Sequence, residues 1–128
     1  MTDKPLKTVL IVEDTEDDRV IFAAVLSYFG FRVTEAENAQ QALESVRTVR
    51  PDLILMDVNL PLVSGLTITE VLKSNRDTNA IPTIAVSAYD LNPRDALSAG
   101  CDRFLPKPID PQTLLRVVTD RIGDAVAA

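Results

Sequence analysis

Three segments carry apolar residues without alternation: Thr8–Val12, Leu53–Met56 and Pro82–Ala88. Short unbroken runs of this kind suit strands covered on both faces, the position of central strands in a parallel sheet. Two further segments, Phe31–Ala36 and Arg103–Leu105, alternate and read as half-exposed strands, the first at a sheet edge. Between the strands, apolar residues return at helical spacing. From Arg19 to Phe29, the residues Ile21, Val25 and Phe29 recur every fourth position with Phe22 and Leu26 beside them, and Gly30 reads as the C′ residue. Asn38 can cap a second helix whose predicted core face is Ala39, Ala42, Leu43 and Val46, closed by Pro51. A loop with Pro61 and Gly65 precedes a third helix, with Leu66, Val71 and Leu72 as expected core contacts. Asn92-Pro93 starts a fourth that Gly100 ends early. Asp110-Pro111 starts a fifth that buries Leu114, Leu115, Val118 and Ile122. Strand followed by helix, five times over, predicts an α/β protein with a parallel sheet.

Composition narrows this picture. The 128 residues are expected to form a single domain with its core over about 7–123, and 46% apolar with 25% charged residues is ordinary for a globular chain. No apolar run approaches the ~20 residues of a membrane helix. Met1-Thr2-Asp3-Lys4-Pro5 is no signal-peptide core, so the expected compartment is the cytoplasm. Cys101 is the only cysteine and histidine is absent, which argues against zinc ligation and against Ser-His or Cys-His catalysis. A net charge of −6 argues against direct nucleic-acid binding.

The candidate chemistry lies where strands end. Glu13 and Asp14 follow the first strand, Asp57 ends the central one, Ser87 lies at the end of the next and Lys107 follows the last. In a parallel sheet these ends share one edge, where ligands of open α/β sheets bind. Two carboxylates a few ångströms apart repel by ~1 kcal/mol in water and ~4 kcal/mol at an effective dielectric of 20. A divalent cation offsets that repulsion. Mg²⁺ (or Mn²⁺) suits a few carboxylate and carbonyl oxygens, here Asp14 and Asp57, Glu13 through water, and the backbone carbonyl of Asn59. The set supports phosphoryl transfer to Asp57 as nucleophile, with Lys107 supplying a point charge and Ser87 a hydroxyl donor. Each residue also has a plainer reading: Glu16, Asp17 and Asp18 as an acidic first helical turn, Asp57 as a turn residue, Ser87 as structural, Lys107 as a solvated charge. Phe104 is a core aromatic on any reading. The joint placement at successive strand ends is what favours the chemistry.

These residues resemble the receiver domain of two-component response regulators over nearly the whole chain. The matching motifs are Val12-Glu13-Asp14, Leu55-Met56-Asp57 followed by Leu60-Pro61 and Ser64-Gly65, Val86-Ser87-Ala88, Gly100-Cys101-Asp102 and Lys107-Pro108-Ile109. The resemblance implies a flavodoxin-like doubly wound five-stranded parallel sheet of order 2-1-3-4-5 with five helices. It implies Mg²⁺-dependent phosphorylation of Asp57 by a sensor histidine kinase or a histidine phosphotransfer protein. It also implies a switch in which Ser87 turns toward the phosphoryl group and Phe104 moves inward, remodelling the face offered to a downstream protein. A cis Lys107-Pro108 bond is part of the same expectation.

Two departures qualify the match. Ser87 and Lys107 are separated by two positions fewer than is usual in the family, which predicts a shortened fourth helix and a changed partner surface there. Tyr89, two positions after Ser87, is a bulky aromatic expected beside the pocket with Pro108, shielding an acyl phosphate from water. Three other readings stand beside a stand-alone phosphorylation switch. One is a receiver-like docking module that is never phosphorylated, and one is a phosphate shuttle in a relay. The third, a haloacid-dehalogenase-like phosphatase, needs Asp-x-Asp, where this chain has Asp57-Val58-Asn59. A phosphorylation-dependent dimer is left open, and neither nucleic acid nor membrane is an expected partner.

Overall fold

A computed structural model of the chain describes residues 5–88 and 91–126. Its strands are β1 (Thr8–Val12), β2 (Arg32–Ala36), β3 (Leu53–Asp57), β4 (Thr83–Ser87) and β5 (Arg103–Pro106). Its helices are α1 (Glu16–Tyr28), α2 (Ala39–Val49), α3 (Gly65–Ser74), α4 (Pro93–Ala99) and α5 (Pro111–Ile122). All strand pairs are parallel and the sheet order is β2-β1-β3-β4-β5, the doubly wound arrangement expected from the sequence. At 7 residues α4 is the shortest of these helices.

The strands lack alternation because both of their faces are covered. Val9, Ile11, Leu53, Leu55, Ile84 and Val86 point to one side, against Phe22 and Leu26 of α1 and Leu114, Val117 and Val118 of α5. Leu10, Val12, Ile54 and Met56 point to the other, against Ala42 and Val46 of α2 and Ile68 and Leu72 of α3. A smaller cluster of Val58, Ala85, Ala96 and Cys101 seats α4, with Phe104 partly buried on it. The two edge strands, β2 and β5, keep exposed positions, as their place in the sheet requires.

Local signals fix the helix starts. The Asn38 side chain accepts from Gln41 N at 2.9 Å, that of Ser64 from Leu66 N at 3.1 Å, and that of Asn92 from Arg94 N at 3.0 Å. Asp110 accepts from Thr113 N at 2.9 Å. Thr15 makes no such bond, and α1 instead begins with Glu16, Asp17 and Asp18 against its dipole.

Four expected core contacts lie at the surface: Ile21 at 52% exposed, Phe29 at 45%, Leu43 at 40% and Val71 at 50%. In α1 the expected Phe22 and Leu26 are buried and Val25 packs partly on the same core, while Ile21 turns to solvent, so the stripe is centred about 100° on from Ile21. Phe29 caps the helix end and meets Tyr28 edge to face at 5.1 Å. Leu43 and Val71 line the groove between α2 and α3 rather than the sheet interface, and Ile68 and Thr69 take the buried places on α3.

Candidate functional site

The register brings four strand ends into line. Val12 is level with Met56, Asp57 with Val86, and Ser87 with Pro106. Glu13, Asp57, Ser87 and Lys107 therefore emerge side by side at the carboxyl edge, although 94 positions separate Glu13 from Lys107. Glu13, Asp57 and Ser87 are buried, while Asp14 faces solvent.

Asp57 ends β3 with one carboxylate oxygen fixed by Asn59 N–H at 3.0 Å and the other 3.9 Å from Lys107 Nζ. The loop behind it is closed by Gly65 N–H donating to the Val58 carbonyl at 3.0 Å. Gly65 is required there. A Cβ at this position would collide with the Asp57 carbonyl oxygen and stand 2.9 Å from the Asp57 carbonyl carbon and from Met56 Cγ.

Lys107 leaves β5 just before a cis bond to the exposed Pro108, and its ammonium donates to Glu13 Oε1 and, at 2.9 Å, to Asp18 Oδ2. Burial works against its charge but is outweighed by those hydrogen bonds and by the nearby Asp57 carboxylate, so its pKa moves up. Burial, and then the adjacent Asp57 carboxylate, push the Glu13 carboxyl from 4.5 up to about 9, with Lys107 pulling the other way. Arg19 holds the backbone at this point: its Nη1 donates to the Glu13 carbonyl at 2.9 Å while its guanidinium pairs with Glu35 at 3.3 Å and Glu37 at 3.1 Å.

The carboxylate oxygens of Glu13, Asp14 and Asp57 lie within 4.8 Å of one another. Glu13 Oε2 is buried with no hydrogen-bond partner among the described residues. Among the described residues no hydrogen bond falls on the Asn59 carbonyl oxygen. Hard oxygen donors at this spacing, one of them buried and orphaned, fit a divalent cation of the Mg²⁺ type.

Ser87 Oγ donates to Asn59 Oδ1 at 2.8 Å, and Ala88 N–H reaches the same oxygen at 3.3 Å. Phe104 lies on β5 level with Ala85, two residues before Ser87. Tyr89 falls outside the described residues. Three participants were not singled out in the sequence: Asp18 as a partner of Lys107, Arg19 as the clamp on Glu13, and the Asn59 side chain as the partner of Ser87. The acid run Glu13–Asp18 carried a trace of the first, since it holds more carboxylates than a helix start needs. A separate groove of about 390 Å³ opens at the far end of the sheet, between Leu43, Arg50, Pro51, Leu72 and Ile81, away from this chemistry.

The sheet order and the acidic edge are those of a signal receiver. Residues 9–119 match the response regulator receiver domain family, and the chain belongs to it. It is a phosphorylation-dependent signalling protein of the two-component class, whose receiver domains interact with histidine kinases or phosphotransfer partners. It is 36% identical to the polar-differentiation response regulator DivK of Brucella anthropi over 121 residues, 93% of this chain and 98% of that one. It superposes on the receiver domain of sensor histidine kinase PA1611 from Pseudomonas aeruginosa, crystallised with magnesium coordinated in the active site cleft. That match has a TM-score of 0.84 and 31% identity, covering 94% of this chain and 100% of the other. A CheY-like receiver domain protein from Methanospirillum hungatei matches with a TM-score of 0.86 and 28% identity, over 92% and 94% of the two chains. Among the described residues no helix is long and apolar enough to cross a membrane.

Proposed function

We propose that this chain is a cytoplasmic response regulator receiver that takes a phosphoryl group onto Asp57 from a phosphohistidine donor. The observation that carries the reading is the buried Asp57 carboxylate, with Lys107 Nζ 3.9 Å away and the orphaned Glu13 Oε2 in the same carboxylate cluster. An Asp57 oxygen attacks phosphorus, the phosphorus–nitrogen bond of the donor breaks, and the imidazole nitrogen leaves with the bonding electron pair. Glu13, Asp14, Asp57 and the Asn59 carbonyl would hold Mg²⁺, which when bound neutralises charge on the phosphoryl oxygens. Lys107 supplies a further positive charge from the chain itself, kept protonated by Glu13 and Asp18. Asn59 N–H orients the attacking carboxylate. Val20 and Ile21, exposed on α1 two and three residues beyond Asp18, offer apolar surface for docking the donor.

The readout follows from the same contacts. Once phosphorylated, Asp57 presents oxygens that draw the Ser87 hydroxyl away from Asn59, and Phe104 on the neighbouring strand repacks against the α4 cluster. The altered surface of α4, β5 and α5, where Leu97 is exposed, then changes its affinity for a downstream protein. Moving such a switch decisively takes a differential affinity of a few kcal/mol.

The test is the intact mass of the protein after incubation with acetyl phosphate and Mg²⁺. One phosphoryl adduct is expected on the native chain, and none on Asp57→Asn or when the cation is chelated. A folded, Mg²⁺-binding native chain that never gains the adduct would instead be a constitutive docking module.

A further inference from the structure

The loop between β3 and α3 holds a leucine in a conformation that leucine avoids. Leu62 has φ 71°, inside the left-handed region where the Cβ of an L-residue crowds its own backbone. Among the described residues the other positive-φ positions are Gly30, Gly100, Gly123 and Arg50, and Arg50 closes the end of α2. Leu62 closes no helix. Its side chain is fully exposed, so among the described residues no side-chain packing offsets the strain. Pro61 and Val63 on either side are exposed as well, giving the loop an apolar tip.

The tip has a fixed place. Gly65 N–H donates to the Val58 carbonyl at 3.0 Å, and Val63 N–H to the Pro61 carbonyl at 2.8 Å. Leu62 thus stands on a closed loop at the same sheet edge as Asp57. The β1–α1 connection beside it is acidic, with Asp14, Glu16 and Asp17 all exposed.

We infer that Leu62 is an apolar anchor for the protein that delivers phosphoryl groups to Asp57, a partner presenting its phosphohistidine beside an apolar depression. The inference rests on Asp57 being the acceptor. Asp57 is only 3% exposed, so a protein donor reaches it by laying its own surface over this edge, where the leucine projects. Leucine water-exposed in the free chain and covered in the complex favours the complex through the hydrophobic effect. A loop backbone already closed by its own hydrogen bonds loses little further freedom on binding. Strain at an exposed apolar residue beside a reactive group is the pattern expected of a site whose return lies in a complex. A small phosphodonor has no such surface and gains nothing from Leu62.

Leu62→Asn separates these cases, because asparagine tolerates the left-handed backbone and removes the apolar tip. The variant is expected to melt at the native temperature or up to about 4 °C above it. Its adduct should form from acetyl phosphate and Mg²⁺ at the native rate. Phosphotransfer from an autophosphorylated histidine-kinase core, chosen because it labels the native chain, should slow about tenfold at low receiver concentration. The loss should fall in KM rather than kcat, and Leu62→Met should restore most of it. Equal transfer to the native and Leu62→Asn chains would overturn the inference. So would equal slowing with acetyl phosphate and with the kinase core, which would mark a distorted loop rather than a lost anchor. Failure of the native chain to take a phosphoryl group from acetyl phosphate would refute the acceptor reading itself, a result distinct from both.

Discussion

Replacing Gly65 by alanine opposes two ordinary expectations. Alanine is favoured over glycine in helices by about 1 kcal/mol, chiefly because it restricts the unfolded chain, so a routine forecast has the variant more stable. The structure forecasts the opposite. The new methyl would run into the Asp57 carbonyl oxygen and come within 2.9 Å of the Asp57 carbonyl carbon and Met56 Cγ. Two of those atoms are backbone of the central strand and cannot rotate away. Forcing a methyl into a packed site costs about 1–3 kcal/mol. If the helix backs off instead, the bond from Gly65 N–H to the Val58 carbonyl is lost, at ~1 kcal/mol. With the alanine gain only partly realised at the first helical position, Gly65→Ala should lose about 1–3 kcal/mol overall. Urea unfolding followed by far-ultraviolet circular dichroism measures it, since the chain has no tryptophan. The same shift moves Asp57, so adduct formation from acetyl phosphate should slow more than about tenfold. A variant as stable as the native chain that labels at the native rate would refute the reasoning.

Ile68→Ala should cost about 2–4 kcal/mol, while Val71→Ala, half exposed three positions along α3, should stay within about 1 kcal/mol of native; a pair of urea titrations decides. Asp18→Ala should slow labelling by acetyl phosphate roughly two- to fivefold through a mispositioned Lys107. Asp18→Asn, which keeps an acceptor oxygen, should recover part of that loss. The raised Glu13 carboxyl gives a pH signature: between 4.5 and about 9 the folded chain holds a proton that the unfolded chain has released. Stability without a cation is therefore greatest below that window and falls as the pH rises through it, and Glu13→Gln should flatten the slope. A bound cation displaces the proton, so calorimetric Mg²⁺ affinity should climb with pH across neutrality, by at most about tenfold per unit. Affinity independent of pH would contradict this.

The sequence was most informative where both sides of a segment face the same surroundings. β1, β3 and β4 are covered on both faces, so their apolar runs identified them directly. The candidate site was legible for a related reason, since a charged residue that ends such a run has to sit at the sheet edge. The helix faces were harder to read. α1 is apolar at Val20, Ile21, Phe22, Val25 and Leu26, and periodicity alone cannot choose between stripes one residue apart. Burial at Phe22 and Leu26 is decided by the sheet and by α5. Leu43 and Val71 face a neighbouring helix across a groove, which a helical pattern does not distinguish from a sheet contact. The side-chain partnerships were hidden in sequence. Asp18 meets Lys107 across 89 positions and Asn59 meets Ser87 across 28, and no local rule connects such pairs.

The first and last described segments lie together. Leu6 pairs with Val126 in an antiparallel bridge and Lys7 N–H donates to the Ala125 carbonyl at 2.7 Å. Leu6 precedes β1 and Val126 follows α5, so this junction lies beneath the sheet, at the edge opposite Asp57. A fluorophore, a surface tether or a fused domain attached near residue 6 or 126 would stand a full strand length from the reactive carboxylate. A short linker joining the two segments would make the chain circular, and new ends could be opened at the exposed turn after α3, around 75–77.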